Sequence, residues 1–116
     1  MNKLEHSIRE FSPIDGDWRP LDALFDQVFA SPDAVGYYDA IFNLFERFPN
    51  EDGAGVFWSA VHGMEARGGY EKKLLSYFRR WPGTMTTAML RRIYNSGQEL
   101  IESFPIERLI DIKRKK

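Results

Sequence analysis

The sequence predicts an all-α fold, and three observations carry that prediction. Apolar residues recur at helical spacing along most of the chain, prolines and glycines punctuate those runs, and no run alternates with the period of two expected of a half-buried strand. With 116 residues, 43% of them apolar and 15% aromatic, the chain reads as one domain, 1–116, with enough material for a core. There is no cysteine, so disulfide scaffolds, thiol catalysis and Cys-ligated zinc are excluded.

Each element follows from its own spacing. "LEHSIREF" sets Leu4, Ile8 and Phe11 at i, i+4, i+7, and Pro13 ends the run. "DWRPLDALFDQVFA" has Pro20 in its first turn and Leu21, Leu24, Phe25, Val28 and Phe29 on one face. The next helix is expected to start with Ser31 as its cap and Pro32 as its first residue, to bury Val35, Tyr38, Phe42 and Phe45, and to stop at Pro49. Asp52 is the expected cap of the helix that follows. "YEKKLLSYFRRW" ends at Pro82, and "TMTTAMLRRIYNS" runs from a Thr84 cap to Gly97. "QELIESF" and "IERLIDIKRKK" complete the chain as further helical segments, the basic tail 113–116 being a solvated, flexible end.

That makes about six to seven short antiparallel helices. "RFP" at 47–49, "RWP" at 80–82 and "SFP" at 103–105 repeat an aromatic before a helix-stopping proline, where the ring can fill the angle between consecutive helices. Two architectures fit: HEAT/TPR-like stacked helical pairs, or a compact helical bundle.

Charge is distributed unevenly. Residues 1–66 carry four basic and twelve acidic side chains, a formal charge of −8, whereas residues 67–116 carry twelve basic and five acidic ones, +7. Such a chain either folds back so that its halves neutralise each other, or presents charged faces to partners. The pairs Lys72–Lys73, Arg79–Arg80 and Arg91–Arg92 read as a solvated face, and no direct nucleic-acid contact is expected. The opening "MNKLEHSIRE" lacks the apolar run of a secretory signal. No segment approaches the ~18 apolar residues of a membrane span, so a cytoplasmic protein without a membrane partner is expected.

The stretch "RFPNEDGAGVFWSAVHGMEA" concentrates the residues that invite a functional reading. On a helix, Val56, Phe57, Ala60, Val61 and Met64 form an apolar stripe, Gly55, Ser59, Gly63 and Ala66 a small-residue stripe, and Trp58, His62 and Glu65 a third. Glycine within a helix costs about 1 kcal/mol relative to alanine, so Gly63 predicts the close approach of another helix. A phosphate loop is not indicated: "GAGVFW" has Trp58 where G-x-G-x-x-G requires glycine, and no strand precedes it. A zinc motif H-x-x-E-H would need histidine where Ala66 stands, and His6 is the only other histidine. Neither a nucleophile nor a cofactor site is indicated. Glu51 and Asp52, the acids Asp39 and Glu46 of the preceding helix, and the Trp58, His62 and Glu65 face instead suit protein recognition, with the aromatic ring as anchor and the acids as partners for a basic surface.

These residues also carry a resemblance. The segment "RFPNEDGAGVFWSAVHGMEARGGYEKKLLSYFRRWPGTMTTAMLRRIYNSG" resembles small all-helical bacterial immunity proteins of polymorphic and contact-dependent toxin systems. In those proteins a stretch similar to "FPNEDGAGVFWSAVHGME" precedes a Tyr-Glu, a basic-aromatic helix and an R-x-x-N, here Arg92 to Asn95. The similarity spans residues 40–97, about half the chain. It implies a non-enzymatic inhibitor that binds a cognate toxin domain, such as a nuclease acting in the cytosol. A HEAT-like adaptor with no toxin partner is the alternative.

Overall fold

The computed structural model describes residues 2–111. Its helices are α1 (Lys3–Glu10), α2 (Arg19–Ala30), α3 (Tyr38–Arg47), α4 (Val56–Arg67), α5 (Glu71–Arg80) and α6 (Thr84–Asn95), followed by a two-stranded hairpin, β1 (Leu100–Ile101) and β2 (Phe104–Pro105). Single 3-10 turns at Ala34–Tyr37 and Ile106–Arg108 precede α3 and follow β2. The all-α prediction holds, with one short hairpin added. The tail 113–116 lies outside the described residues.

The helices alternate between two layers, and every second helix runs parallel. The Asn2 amide donates to the Tyr37 hydroxyl at 2.8 Å near the starts of α1 and α3, and Arg47 at the end of α3 reaches the end of α1. Trp18 meets Phe57 near the starts of α2 and α4, and Arg67 at the end of α4 reaches the end of α2. Asp39–Lys73 and Glu46–Arg80 tie the two ends of α3 to those of α5. Consecutive helices oppose each other: Phe45 near the end of α3 packs on Phe57 at the start of α4, and the Tyr38 hydroxyl at the start of α3 donates to the Gly68 carbonyl after α4. This is the stacked arrangement of helical pairs, with α1, α3 and α5 in one layer and α2, α4 and α6 in the other. It gives an elongated body of 44 × 32 × 23 Å.

Two arginines terminate helices they do not belong to. The last carbonyls of an α-helix have no partner within it. Arg47 donates to the carbonyls of Ile8 (3.0 Å) and Phe11 (2.7 Å), and Arg67 donates to those of Phe29 and Ser31. A guanidinium fork suits this task, because it presents several donors in one plane and its charge complements the negative end of the helix dipole.

One core joins both layers, from Ile8 through Phe25, Phe42, Phe57, Met64, Leu74 and Leu90 to Ile110. At one end Trp18 stands edge-on to Phe48 and Phe57, with ring centroids 5.1 and 5.2 Å away. Phe48 thus fills the angle that its position before Pro49 implied. Its counterparts do not: Trp81 is 57% exposed, and Phe104, 41% exposed, lies beneath the Arg79 guanidinium at 3.9 Å.

Several helix starts differ from expectation. Ser31 accepts from the Asp33 amide in a tight turn, and the α-helix begins only at Tyr38, which leaves Val35 45% exposed. Gly83 takes the cap position of α6, its amide donating to Thr86 Oγ1, while the Thr84 amide donates to the Pro49 carbonyl at 2.7 Å. The segment read as a helix from Gln98 onward instead turns back at Glu102 (φ 47°) and Ser103 (φ 69°), two successive left-handed residues that suit a tight hairpin. Pro105 denies a helix there its backbone donor, and the hairpin lets Ile101, Ile106 and Ile110 enter the core. The hairpin packs on α5 and covers the end of the stack where a seventh helix would otherwise stand.

Gly63 meets the close approach expected of it. A Cβ built there would lie 2.5 Å from the Phe29 ring. Gly63→Ala therefore should destabilise the protein by about 1–2 kcal/mol in chemical denaturation, against the gain in helix propensity. In a Phe29→Ala background the same substitution should stabilise by about 0.5–1 kcal/mol. A stabilising Gly63→Ala in the parent protein would show that Phe29 yields without cost.

Candidate partner-binding face

The sequence Pro49–Gly55 makes the turn into α4 with three successive left-handed residues, Gly53 (φ 62°), Ala54 (φ 53°) and Gly55 (φ 92°). Gly53 is required twice over, since a Cβ there would also lie 2.7 Å from the Phe57 ring. The expected Asp52 side-chain cap of α4 does not form: Gly55 holds the cap position, and Asp52 contributes its backbone carbonyl to the amides of Gly55 and Phe57, each at 3.1 Å. The carboxylates of Glu51 and Asp52 are exposed and hold no hydrogen bond or ion pair among the described residues.

The adjacent turn into α6 completes this rim. The Thr84–Pro49 hydrogen bond brings Trp81–Gly83 against Pro49, and a Cβ on Gly83 would sit 3.1 Å from the Pro49 carbonyl oxygen. Trp81, which the sequence reading treated as a packing residue, is thereby displayed on the same rim as Glu51 and Asp52. Its signal in the sequence is "RRWPG", where a tight turn leaves the ring no neighbouring helix to cover it.

Trp58, His62 and Glu65 lie along the outward side of α4, as their spacing required. The Trp58 and His62 rings are 6.0 Å apart, and His62 Nδ1 is 3.3 Å from Glu65 Oε1. Arg92 of α6 joins them: its guanidinium donates two hydrogen bonds to the Glu65 carboxylate, at 2.8 and 2.9 Å, and lies 5.8 Å from the Trp58 ring centre. The Arg92 hydrogen bond is the main cause of a Glu65 pKa below its usual value; burial opposes it and His62 adds to it. Next to this pair a shallow cavity of about 230 Å³ is lined by Glu65, Tyr70, Glu71, Arg92, Ile93, Ser96 and Gln98.

Asp39 and Glu46 are elsewhere, in the other layer, and both face α5. Asp39 accepts from Lys73 Nζ at 2.8 Å and from the Tyr77 hydroxyl at 2.9 Å, so it is also held below the usual carboxylate range, chiefly by Lys73. Arg80 grips Glu46 through two hydrogen bonds, 2.8 and 2.9 Å long. Of the seven acidic and aromatic residues singled out, Asp39, Glu46 and Glu65 thus tie helices together, while Glu51, Asp52 and the exposed His62 face solvent and Trp58 is half-buried.

Among the described residues no three His, Cys, Asp or Glu side chains gather as a metal site, and no helix is long and apolar enough to cross a membrane. Comparison of the chain with family models, with curated proteins and with solved structures finds no match.

The Glu65–Arg92 pair makes stability depend on pH. Because the folded-state pKa is lowered, the contribution is complete above the unfolded carboxylate value near 4.5 and disappears as pH falls through the folded value. Glu65→Gln should lower stability at neutral pH by about 0.5–1 kcal/mol, and the difference from the parent should shrink as pH falls below the unfolded carboxylate value. Denaturant melts above and below that value measure it; an equal loss at both would mean that the charge of Glu65 is irrelevant.

Proposed function

We propose that this protein is an immunity protein, a non-enzymatic binder that neutralises a cognate bacterial toxin domain in the cytoplasm. The observation that carries the reading is the rim formed by the turns into α4 and α6. There, two carboxylates without internal partners stand on the same rim as a Trp81 ring that is 57% exposed. Asp39, Glu46 and Glu65 are paired with bases of the second half of the chain, whereas Glu51 and Asp52 are not, so the charge left open on this turn is available to a basic partner. Exposed carboxylates accelerate encounter with such a partner, and an aromatic anchor that becomes buried slows its release. A basic toxin such as a nuclease suits this division of labour. The resemblance of residues 40–97 to immunity proteins supports the same reading from the sequence side. Trp58 and His62, on the α4 side of the rim, extend the surface along the outward side of that helix.

The test is rescue and capture with the toxin-like gene that neighbours this one in its own genome. Co-expression should restore growth, and the tagged chain should retain the toxin domain through purification. Glu51→Lys with Asp52→Lys should slow association at least tenfold, by an amount that grows as salt is lowered, and Trp81→Ala should accelerate dissociation about tenfold. Neither variant should shift the melting temperature by more than about 2 °C, since surface changes away from packing contacts alter stability little. The stacked helical pairs also suit an adaptor of the HEAT type. Capture of a housekeeping protein without any effect on toxin survival would favour that reading and end the immunity one.

A further inference from the structure

The three turns that lead from an odd-numbered helix to an even-numbered one form a single edge of the stack, because alternate helices are parallel. Side-chain and backbone contacts stitch these turns together. Trp18, which closes the α1–α2 turn, stands edge-on to Phe48 at 5.1 Å, and a Cβ on Gly53 of the α3–α4 turn would lie 3.3 Å from its ring. Pro49 of that second turn accepts from the Thr84 amide and so holds the α5–α6 turn in place. With neighbouring helices of a layer about 10 Å apart, the edge runs about 20 Å from the first turn to the third.

The rim described above occupies the second and third turns, and the first turn carries the same chemistry. There the Asp17 amide donates to the Ile14 carbonyl at 3.0 Å, and Asp15 and Gly16 are left-handed. This tight turn holds Ile14 out in solvent, 80% exposed, more than any other large apolar side chain among the described residues. Asp15 beside it is exposed and holds no hydrogen bond or ion pair among the described residues. Next to both opens a hollow of about 720 Å³ whose carboxylates are Glu10, Asp15 and Asp17 and whose one base, Arg19, is paired with Asp17 at 2.8 Å. Across residues 11–18, 48–55 and 81–83 there are four carboxylates, Asp15, Asp17, Glu51 and Asp52, and no lysine or arginine.

We infer that the toxin-binding surface continues along this edge to the α1–α2 turn, where Ile14 is a second apolar anchor and the adjoining hollow takes a lysine or arginine side chain of the toxin domain. The extension rests on the immunity reading proposed above. Size argues for it: a stable complex buries about 800 Å² on each partner, about 20–30 residues a side. The turns 49–55 and 81–83, even with Trp58 and His62, offer about half of that number. Charge argues for it as well, since an edge whose turns hold carboxylates and no bases suits one basic partner along its whole length. Ile14 and Trp81 then stand at the two extremes of the contact with Glu51 and Asp52 between them, an arrangement that fixes the partner's orientation.

Binding kinetics of the full chain with the toxin domain encoded beside it test this. Ile14→Ser should accelerate dissociation about tenfold, and combined with Trp81→Ala about a hundredfold, because anchors about 20 Å apart act independently. Asp15→Asn, which keeps a residue tolerant of the left-handed conformation, should slow association about twofold to threefold at low salt and have no effect at about 0.5 M. Val35→Ser is the control. Val35 is 45% exposed on the opposite edge, where a Cβ on Gly69 would lie 3.8 Å from it, and its loss should leave binding unchanged. Melting temperatures of the Ile14 and Asp15 variants should stay within about 2 °C of the parent's. A parent-like dissociation rate for Ile14→Ser, with Trp81→Ala impaired, would overturn the extension and leave the immunity reading standing. Equal losses for Ile14→Ser and Val35→Ser would also overturn it. Failure of the parent itself to bind would end the immunity reading and the extension with it.

Discussion

The open carbonyls at the ends of α1 and α2 impose the constraint on which the architecture depends. Each gains a donor on an arginine two helices further along the chain: Arg47 for α1 and Arg67 for α2. That requirement fixes direction, because an arginine at a helix's last turn can reach another helix's last carbonyls only if the two ends coincide. Parallel alignment of every second helix follows, and with it the two layers. Burial disfavours the charge on Arg47, and its carbonyl partners compensate for the water it loses. Lysine could not substitute equally, lacking the planar fork whose separate nitrogens reach the two carbonyls.

The salt bridges of the second half repeat this alignment with different chemistry. Asp39–Lys73, Glu46–Arg80 and Glu65–Arg92 join like ends of parallel helices. The charge asymmetry of the sequence is thus in part a code for internal register. Isolated surface pairs stabilise little. Their effect here is to select one alignment among several that apolar packing alone would permit. The carboxylates outside this register, Glu51 and Asp52 foremost, are the ones available for recognition.

Much of the fold was legible because helical periodicity and proline stops are local signals. The faces of α2 and α4 and the tight contact at Gly63 follow from spacing alone. What was not legible depended on distance. Nothing near Asp39 or Glu46 announces that Lys73 and Arg80 lie opposite them, and so both acids read as free. Nothing local distinguishes Phe48, which has Trp18 to pack on, from Trp81, which has no such neighbour. The hairpin escaped because Glu102 and Ser103 occupy left-handed positions usually marked by glycine or asparagine. By contrast the Asp15–Gly16 turn carries the usual Asp-Gly signal, with a single bridge between Ile14 and Asp17 and no strands around it.

The interval between each helix and the residue that terminates it has a consequence for biosynthesis. The last carbonyls of α1 gain their arginine donor only once Arg47 has emerged from the ribosome, and those of α2 only once Arg67 has done so. The hairpin emerges after α5 and α6 and packs on α5. A nascent chain halted before Leu100 would leave that side of α5 open to water.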